Sequence, residues 1–182
     1  MAKQYDHINK RIQKFIGEQK IFFVATATPE SRINLSPKGM DSFRVIDQNK
    51  VYWLNLTGSG NETAAHLDAD GRITIMFCAF QGAPMILRLY GKGKVINPND
   101  QNWSEALSHF PKMAGTRQIL DIDIEMVQTS CGMSIPYFEF KEERLQLDDW
   151  AKNKGEEGIK SYWKEKNEVS IDGIPTKIQE GY

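Results

Sequence analysis

The sequence predicts a mainly β protein: an antiparallel barrel with helices appended. Three observations carry this. Short runs of strand character follow one another through the middle of the chain, separated by turn signals. Regular helix–strand alternation, the signature of a parallel sheet, is absent. The helical patterns lie at the two ends and in one or two connections. At 182 residues a single domain is expected over 1–182, with a barrel body at 5–140, C-terminal helices at 141–166 and an exposed tail at 167–182.

Asp6 to Gly17 puts Ile8, Ile12, Phe15 and Ile16 on one helical face, and Gly17 is a fitting stop. Ile21 to Thr28 and Arg32 to Ser36 flank a short turn and read as a hairpin. Phe43 to Ile46 and Lys50 to Leu56 flank the turn signal Asp47-Gln48-Asn49. Gly71 to Phe80 is a strand, and so is Met85 to Ile96, where Gly91 and Gly93 indicate a bend or bulge. Asn97 to Asp100 opens a helix carrying Trp103, Leu107 and Phe110. Gln118 to Thr129 alternates apolar and polar residues, as a half-buried strand does. Pro136 to Phe140 reads as a short strand. Glu142 to Lys166 reads as charged helix, split at Gly155 and Gly158.

Charge and composition narrow the function classes. There are 23 Lys+Arg against 24 Asp+Glu, a net charge of -1, so no general attraction to nucleic acid or an anionic membrane is expected. The longest apolar runs, Ile21 to Ala27 and Ile73 to Phe80, fall short of the roughly 20 residues of a membrane helix. The first residues carry no apolar signal segment. The two cysteines, Cys78 and Cys131, form no CxxC pair; Cys78 reads as a buried thiol, and the cytoplasm is the expected compartment. His7, His66 and His109 are scattered without metal-ligand spacing, so no metal site is expected, and His66 reads as a surface or interface residue.

The informative stretch is LTGSGNETAAHL, from Leu56 to Leu67. Gly58-Ser59-Gly60 follows a strand and precedes a short helix. Thr63 stands where a dinucleotide fingerprint needs a small residue, and no βαβ unit surrounds the loop. Two readings remain. In one, backbone N–H groups, Ser59, Asn61, Thr63 and the helix N-terminus hold an anion. In the other, the loop is a turn in which Asn61 caps the helix. Nearby, Ser36-Pro37-Lys38-Gly39 ends a strand that must bulge or lie at an edge, because Pro37 cannot donate to a ladder. Lys38 then either projects into a cleft or faces solvent. In Ile86 to Gly91 alternation sets Ile86, Arg88 and Tyr90 on one face, leaving Arg88 a long cation in an apolar strand.

In order and spacing, NLSPKG, VYWLNLTGSGNETAAHL, RITIMFCAF and MILRLYGKGKV resemble the pyridoxamine 5'-phosphate oxidase-like, FMN-binding split-barrel family over roughly residues 5 to 130. The resemblance implies an antiparallel split β-barrel and a homodimer with FMN between subunits. It places the phosphate near Ser59, Gly60, Asn61, Thr63 and Arg32, and sets Ser36, Pro37 and Lys38 along the flavin ring. Arg88 is a further cation for the cofactor. Thr129 to Ser134, including Ser130, Cys131 and Ser134, would close the ring pocket from the partner subunit. Two departures matter. True pyridoxamine phosphate oxidases carry an Arg-Lys pair where Gly60-Asn61 stand here, so Arg32, Arg88 or Arg117 must meet part of the phosphate charge. They also end in an R-x-H segment, which this chain lacks. Oxidation of pyridoxamine phosphate is therefore not expected.

The resulting expectation is an FMN-binding flavoprotein, an oxidoreductase acting on a small or planar substrate through flavin N5, with no catalytic side chain identified. A deazaflavin (F420) reductase on the same fold, a non-catalytic flavin carrier or sensor, and a cofactor-free barrel for protein or single-stranded nucleic acid are the alternatives.

Overall fold

The computed structural model describes residues 2–181. Its centre is an eight-stranded antiparallel sheet. The strands are β1 (Lys3–Tyr5), β2 (Phe22–Thr26), β3 (Asn34–Lys38), β4 (Phe43–Val45), β5 (Lys50–Leu56), β6 (Arg72–Cys78), β7 (Ile86–Ile96) and β8 (Thr116–Ser130). The order is β3-β2-β6-β7-β8-β5-β4, and β1 pairs with the far end of β8. The helices are α1 (Lys10–Glu18), α2 (Glu62–Ala69), α3 (Trp103–Leu107) and α4 (Gln146–Lys166).

Period-two alternation builds the barrel interior. Phe22, Val24, Ile73, Ile75, Phe77, Leu87, Leu89, Leu120, Ile122, Val51 and Trp53 all face inward and are buried, packed against Ile12, Phe15 and Ile16 of α1 and Ile8 just before it. Asn9 caps α1 by accepting from the Ile12 N–H. A second cluster, Leu54, Ile96, Ile119, Ala106 and Phe110, covers the outer side of the sheet beneath α3.

The bend anticipated in β7 is a bulge. Tyr90 pairs with Met126 and Gly91 with Ile124, so Glu125 is skipped. The extra residue resets the phase of β8, so that Ile124 and Val127 both point inward. A Cβ on Gly91 would lie 2.0 Å from the Asp123 carbonyl oxygen, so only glycine allows this close approach.

Four expectations are corrected. β1 forms a strand where none was read, because a three-residue polar segment has too little pattern to show its pairing. Pro136 to Phe140 is irregular: it finds no ladder partner, and Tyr137 and Phe138 are exposed. The C-terminal helix begins at Gln146 and breaks at Gly155 (φ 66°, ψ 172°), while Gly158 remains helical. The stretch beyond it is packed rather than exposed: Asn167, Ser170, Thr176 and Ile178 are buried. Among the described residues, no helix is long and apolar enough to cross a membrane.

Candidate functional site

β5 runs out at Leu56, and the chain turns through Thr57 to Asn61 into α2. Asn61 occupies the N-cap position of α2, yet its side chain makes no capping bond. The residue is 2% exposed, and neither its Oδ1 nor its Nδ2 has a hydrogen-bond partner. A buried amide with both ends open costs on the order of 1–3 kcal/mol per unsatisfied group. That observation decides against the capped-turn reading of Asn61. Thr63, the second residue of α2, accepts from Asn34 Nδ2 at 3.0 Å, and the same amide donates to Thr26 Oγ1 at 3.0 Å. His66 is buried rather than at the surface, because α2 lies with this face on β2: its Nδ1 is 3.0 Å from Thr26 Oγ1, while Nε2 is unpartnered.

The cation of this corner is Arg117, near the start of β8. It is 3% exposed; Nη1 donates to the Gly60 carbonyl at 3.0 Å and to Asn167 Oδ1 at 2.7 Å, and Nε has no partner. Both acceptors are neutral, and among the described residues no carboxylate forms an ion pair with it. Burial pulls its guanidinium down to about 9, so it is still protonated at neutral pH. Lys38 shares the predicament. Its ammonium sits 5.1 Å from the centre of the Trp53 ring, and desolvation, followed by the Arg117 charge, lowers it to about 8. Alternation on β3 turns Asn34, Ser36 and Lys38 toward the interior and Ile33, Leu35 and Pro37 outward.

At the Lys38 end of β3, Pro37, Lys38, Gly39 and Met40 form one wall of a cavity of about 1140 Å³, which the glycine turn and Arg117 do not line. Phe80, Phe138 and Phe140 are on other sides of it, and Phe80 meets Phe138 edge-on with ring centroids 5.4 Å apart.

The remaining residues singled out from the sequence lie apart from the corner. Arg32 is mostly exposed, and its guanidinium and backbone N–H both bond the Asp172 carboxylate. Arg88 is on the outer face of β7 and donates to Ser130 Oγ at 3.3 Å. Cys131 and Ser134 follow β8 on an exposed loop. Ser59, by contrast, belongs to the corner, exposed at the tip of the glycine turn. One chain therefore gathers Ser59, Gly60, Asn61 and Thr63 on one turn, with Arg117 bonded to its Gly60 carbonyl, and leaves Arg88, Ser130, Cys131 and Ser134 elsewhere.

The sequence did not reveal the C-terminal contribution. Asn167 Nδ2 donates to the Gly58 carbonyl at 3.1 Å, Trp163 Nε1 to Thr57 Oγ1 at 2.9 Å, and the Ile171 N–H to the Glu62 carboxylate at 3.2 Å. A lone asparagine in a charged segment carries no signal of such a role. Among the described residues, no cluster of three or more His, Cys, Asp or Glu could hold a metal ion.

This fold and corner define an antiparallel split-barrel protein, and comparison with known proteins agrees. The family model for pyridoxamine 5'-phosphate oxidase matches residues 8–131. A pyridoxamine 5'-phosphate oxidase family protein of Aspergillus flavus, ustO, is 34% identical over 94% of this chain and 76% of its own length. The chain belongs to the pyridoxamine 5'-phosphate oxidase family. Among solved structures, a putative pyridoxamine 5'-phosphate oxidase from Lactobacillus delbrueckii is similar at TM-score 0.53 and 15% identity, over 68% of this chain and 94% of that one. HutZ, described as the heme storage protein of Vibrio cholerae, is similar at TM-score 0.51 and 15% identity, over 69% and 97%. These two show the fold.

Proposed function

We propose that the chain binds FMN, with the phosphate at the glycine corner, and acts as a flavin-dependent oxidoreductase in a homodimer. One observation carries this reading: the buried Asn61 amide has no hydrogen-bond partner, and the carbonyl of the preceding Gly60 accepts from a buried Arg117 that has no acid partner. A phosphate would accept from the Asn61 Nδ2–H and from the open Arg117 Nε–H, and would match the guanidinium's charge. Ser59 and Thr63 add hydroxyls at the same turn. Arg117 takes the part that the family resemblance gave to Arg32, whose guanidinium is engaged by Asp172.

Bound FMN would supply a carrier of one or two electrons. The protein's own residues position it and control its surroundings. Lys38, held over Trp53, places a positive charge at the edge of the cavity where a ring would accumulate negative charge on reduction. Pro37, Met40, Phe80, Phe138 and Phe140 give the cavity an apolar wall that suits a flat ring and a small or planar substrate, with Glu18, Lys20 and Arg144 also at its lining. The outer sheet face supports a second copy. Leu35 is 65% exposed, and Phe23, Met76, Tyr90 and Met126 are only half-buried across the row of strands beside it. Arg88, Ser130, Cys131 and Ser134 lie on that face or at its margin, where they would serve the partner subunit's cofactor.

The visible absorption spectrum of the purified protein, with mass spectrometry of what heat releases, tests this. Flavin bands and released FMN are expected. A colourless protein that takes up no added FMN, or a heme Soret band in place of flavin bands, would overturn the reading.

A further inference from the structure

Buried arginines are ordinarily matched by a carboxylate, because an uncompensated charge in the interior is costly. Arg117 is matched by an amide instead. Asn167 lies beyond the residues that match the family, just after α4, and is 0% exposed. Its side chain does two things at once: Oδ1 accepts from Arg117 Nη1 at 2.7 Å, and Nδ2 donates to the Gly58 carbonyl at 3.1 Å. Its backbone is fixed as well, with the N–H on the Trp163 carbonyl at 2.8 Å and the carbonyl accepting from Thr176 Oγ1 at 2.5 Å. Arg117 completes the circle by donating to Gly60. The glycine turn, the buried cation and the C-terminal segment thus meet on one side chain.

We propose that Asn167 is a positioning residue of the anion corner: its neutral amide fixes Arg117 against the glycine turn without neutralising it, and so reserves the guanidinium's charge for an anionic ligand. This rests on the reading that the corner holds the phosphate of FMN. An aspartate at 167 would hold the guanidinium at least as firmly, through a charge-assisted bond, but would cancel the charge the ligand needs. It would also set a carboxylate against the Gly58 carbonyl. An alanine would leave the charge intact and only loosen its aim. The two substitutions therefore separate charge from position.

The test is the affinity of the full chain for FMN and for riboflavin, followed by flavin fluorescence, in the unmodified protein, Asn167→Asp and Asn167→Ala, with thermal melts alongside. Riboflavin shares the ring and lacks the phosphate, so the ratio of the two affinities isolates the corner. Asn167→Asp is expected to weaken FMN by roughly 30-fold or more, and riboflavin by less than about 3-fold. Asn167→Ala is expected to weaken FMN by about 5- to 10-fold, again with riboflavin nearly unchanged. A merely structural role would lower both ligands together, or move the melting temperature and leave the ratio alone; either result overturns the inference. If Asn167→Asp does not fold, Asn167→Ala decides: an unchanged ratio overturns it. An unmodified chain that binds FMN no better than riboflavin removes the underlying reading, and this inference with it, before any variant is compared.

Discussion

Two cation sites in the same sheet are built in opposite ways. Lys50, at the start of β5, reaches across to β8, where Asp121 Oδ1 is 2.7 Å and Asp123 Oδ1 2.9 Å from its ammonium. Burial opposes its charge, but hydrogen bonds to both carboxylates outweigh this and raise it above the ordinary lysine value. Arg117 and Lys38 sit deeper, repel one another, and are both lowered. The chain supplies Lys50 with two counter-charges and supplies this second pair with a ring face, an amide and a carbonyl. The first arrangement is complete as it stands and holds two strands together. The second lacks a counter-charge among the described residues, and the proposed phosphate would supply one.

The largest effect that would sharpen this contrast is expected from Arg117→Met. FMN affinity should fall by about 100-fold or more, with little change for riboflavin. The melting temperature should hold or rise, since a buried charge without an acid partner has been removed. A loss of stability with FMN affinity intact would reverse the roles assigned to the two sites.

A smaller effect, with a pH signature, is expected from Lys38. Its folded value of about 8 is below its ordinary 10.5, so between these the native chain binds fewer protons than the unfolded one. Its cost to stability is therefore full below pH 8 and relieved as pH rises from 8 toward 10.5. An anion favours the charged form, so FMN affinity should decline as pH rises through about 8. Lys38→Met should weaken FMN by about 10-fold at neutral pH and flatten both profiles; denaturant melts and FMN titrations across this range check it. A variant that keeps the decline would show that another group titrates.

The smallest effect on binding belongs to the complete site. Lys50→Met should cost on the order of 1–2 kcal/mol of stability, as partly buried ion pairs do, and change FMN affinity by less than about 2-fold. Urea melts paired with titrations would expose any coupling between the two sites.

How much of this could be read from residues alone follows from the range of the forces involved. Strands β2 to β8 were legible because burial on one face imposes a local alternation, as in Ile86 to Tyr90. The phase reset at Glu125 was not, since it depends on Gly91 meeting Asp123 from another strand. The glycine turn was legible as an anion candidate, but its rival, the capped turn, fell only on the burial of Asn61 without a partner. His66 was misplaced because α2 is weakly amphipathic: its Ala64 and Ala65 mark no face, so nothing local told which side would pack on Thr26. Arg117 could be named among three arginines, but which one was buried depended on contacts with Gly60 and a residue fifty positions away. Asn167 had no local signal at all.

The most direct measurement is the affinity of the unmodified chain for FMN against riboflavin at neutral pH and low salt. FMN is expected to bind about 100-fold tighter or more, with the advantage shrinking as salt is added. Equal affinities would mean that Arg117 and Asn61 meet no phosphate, and would contradict this placement of the cofactor.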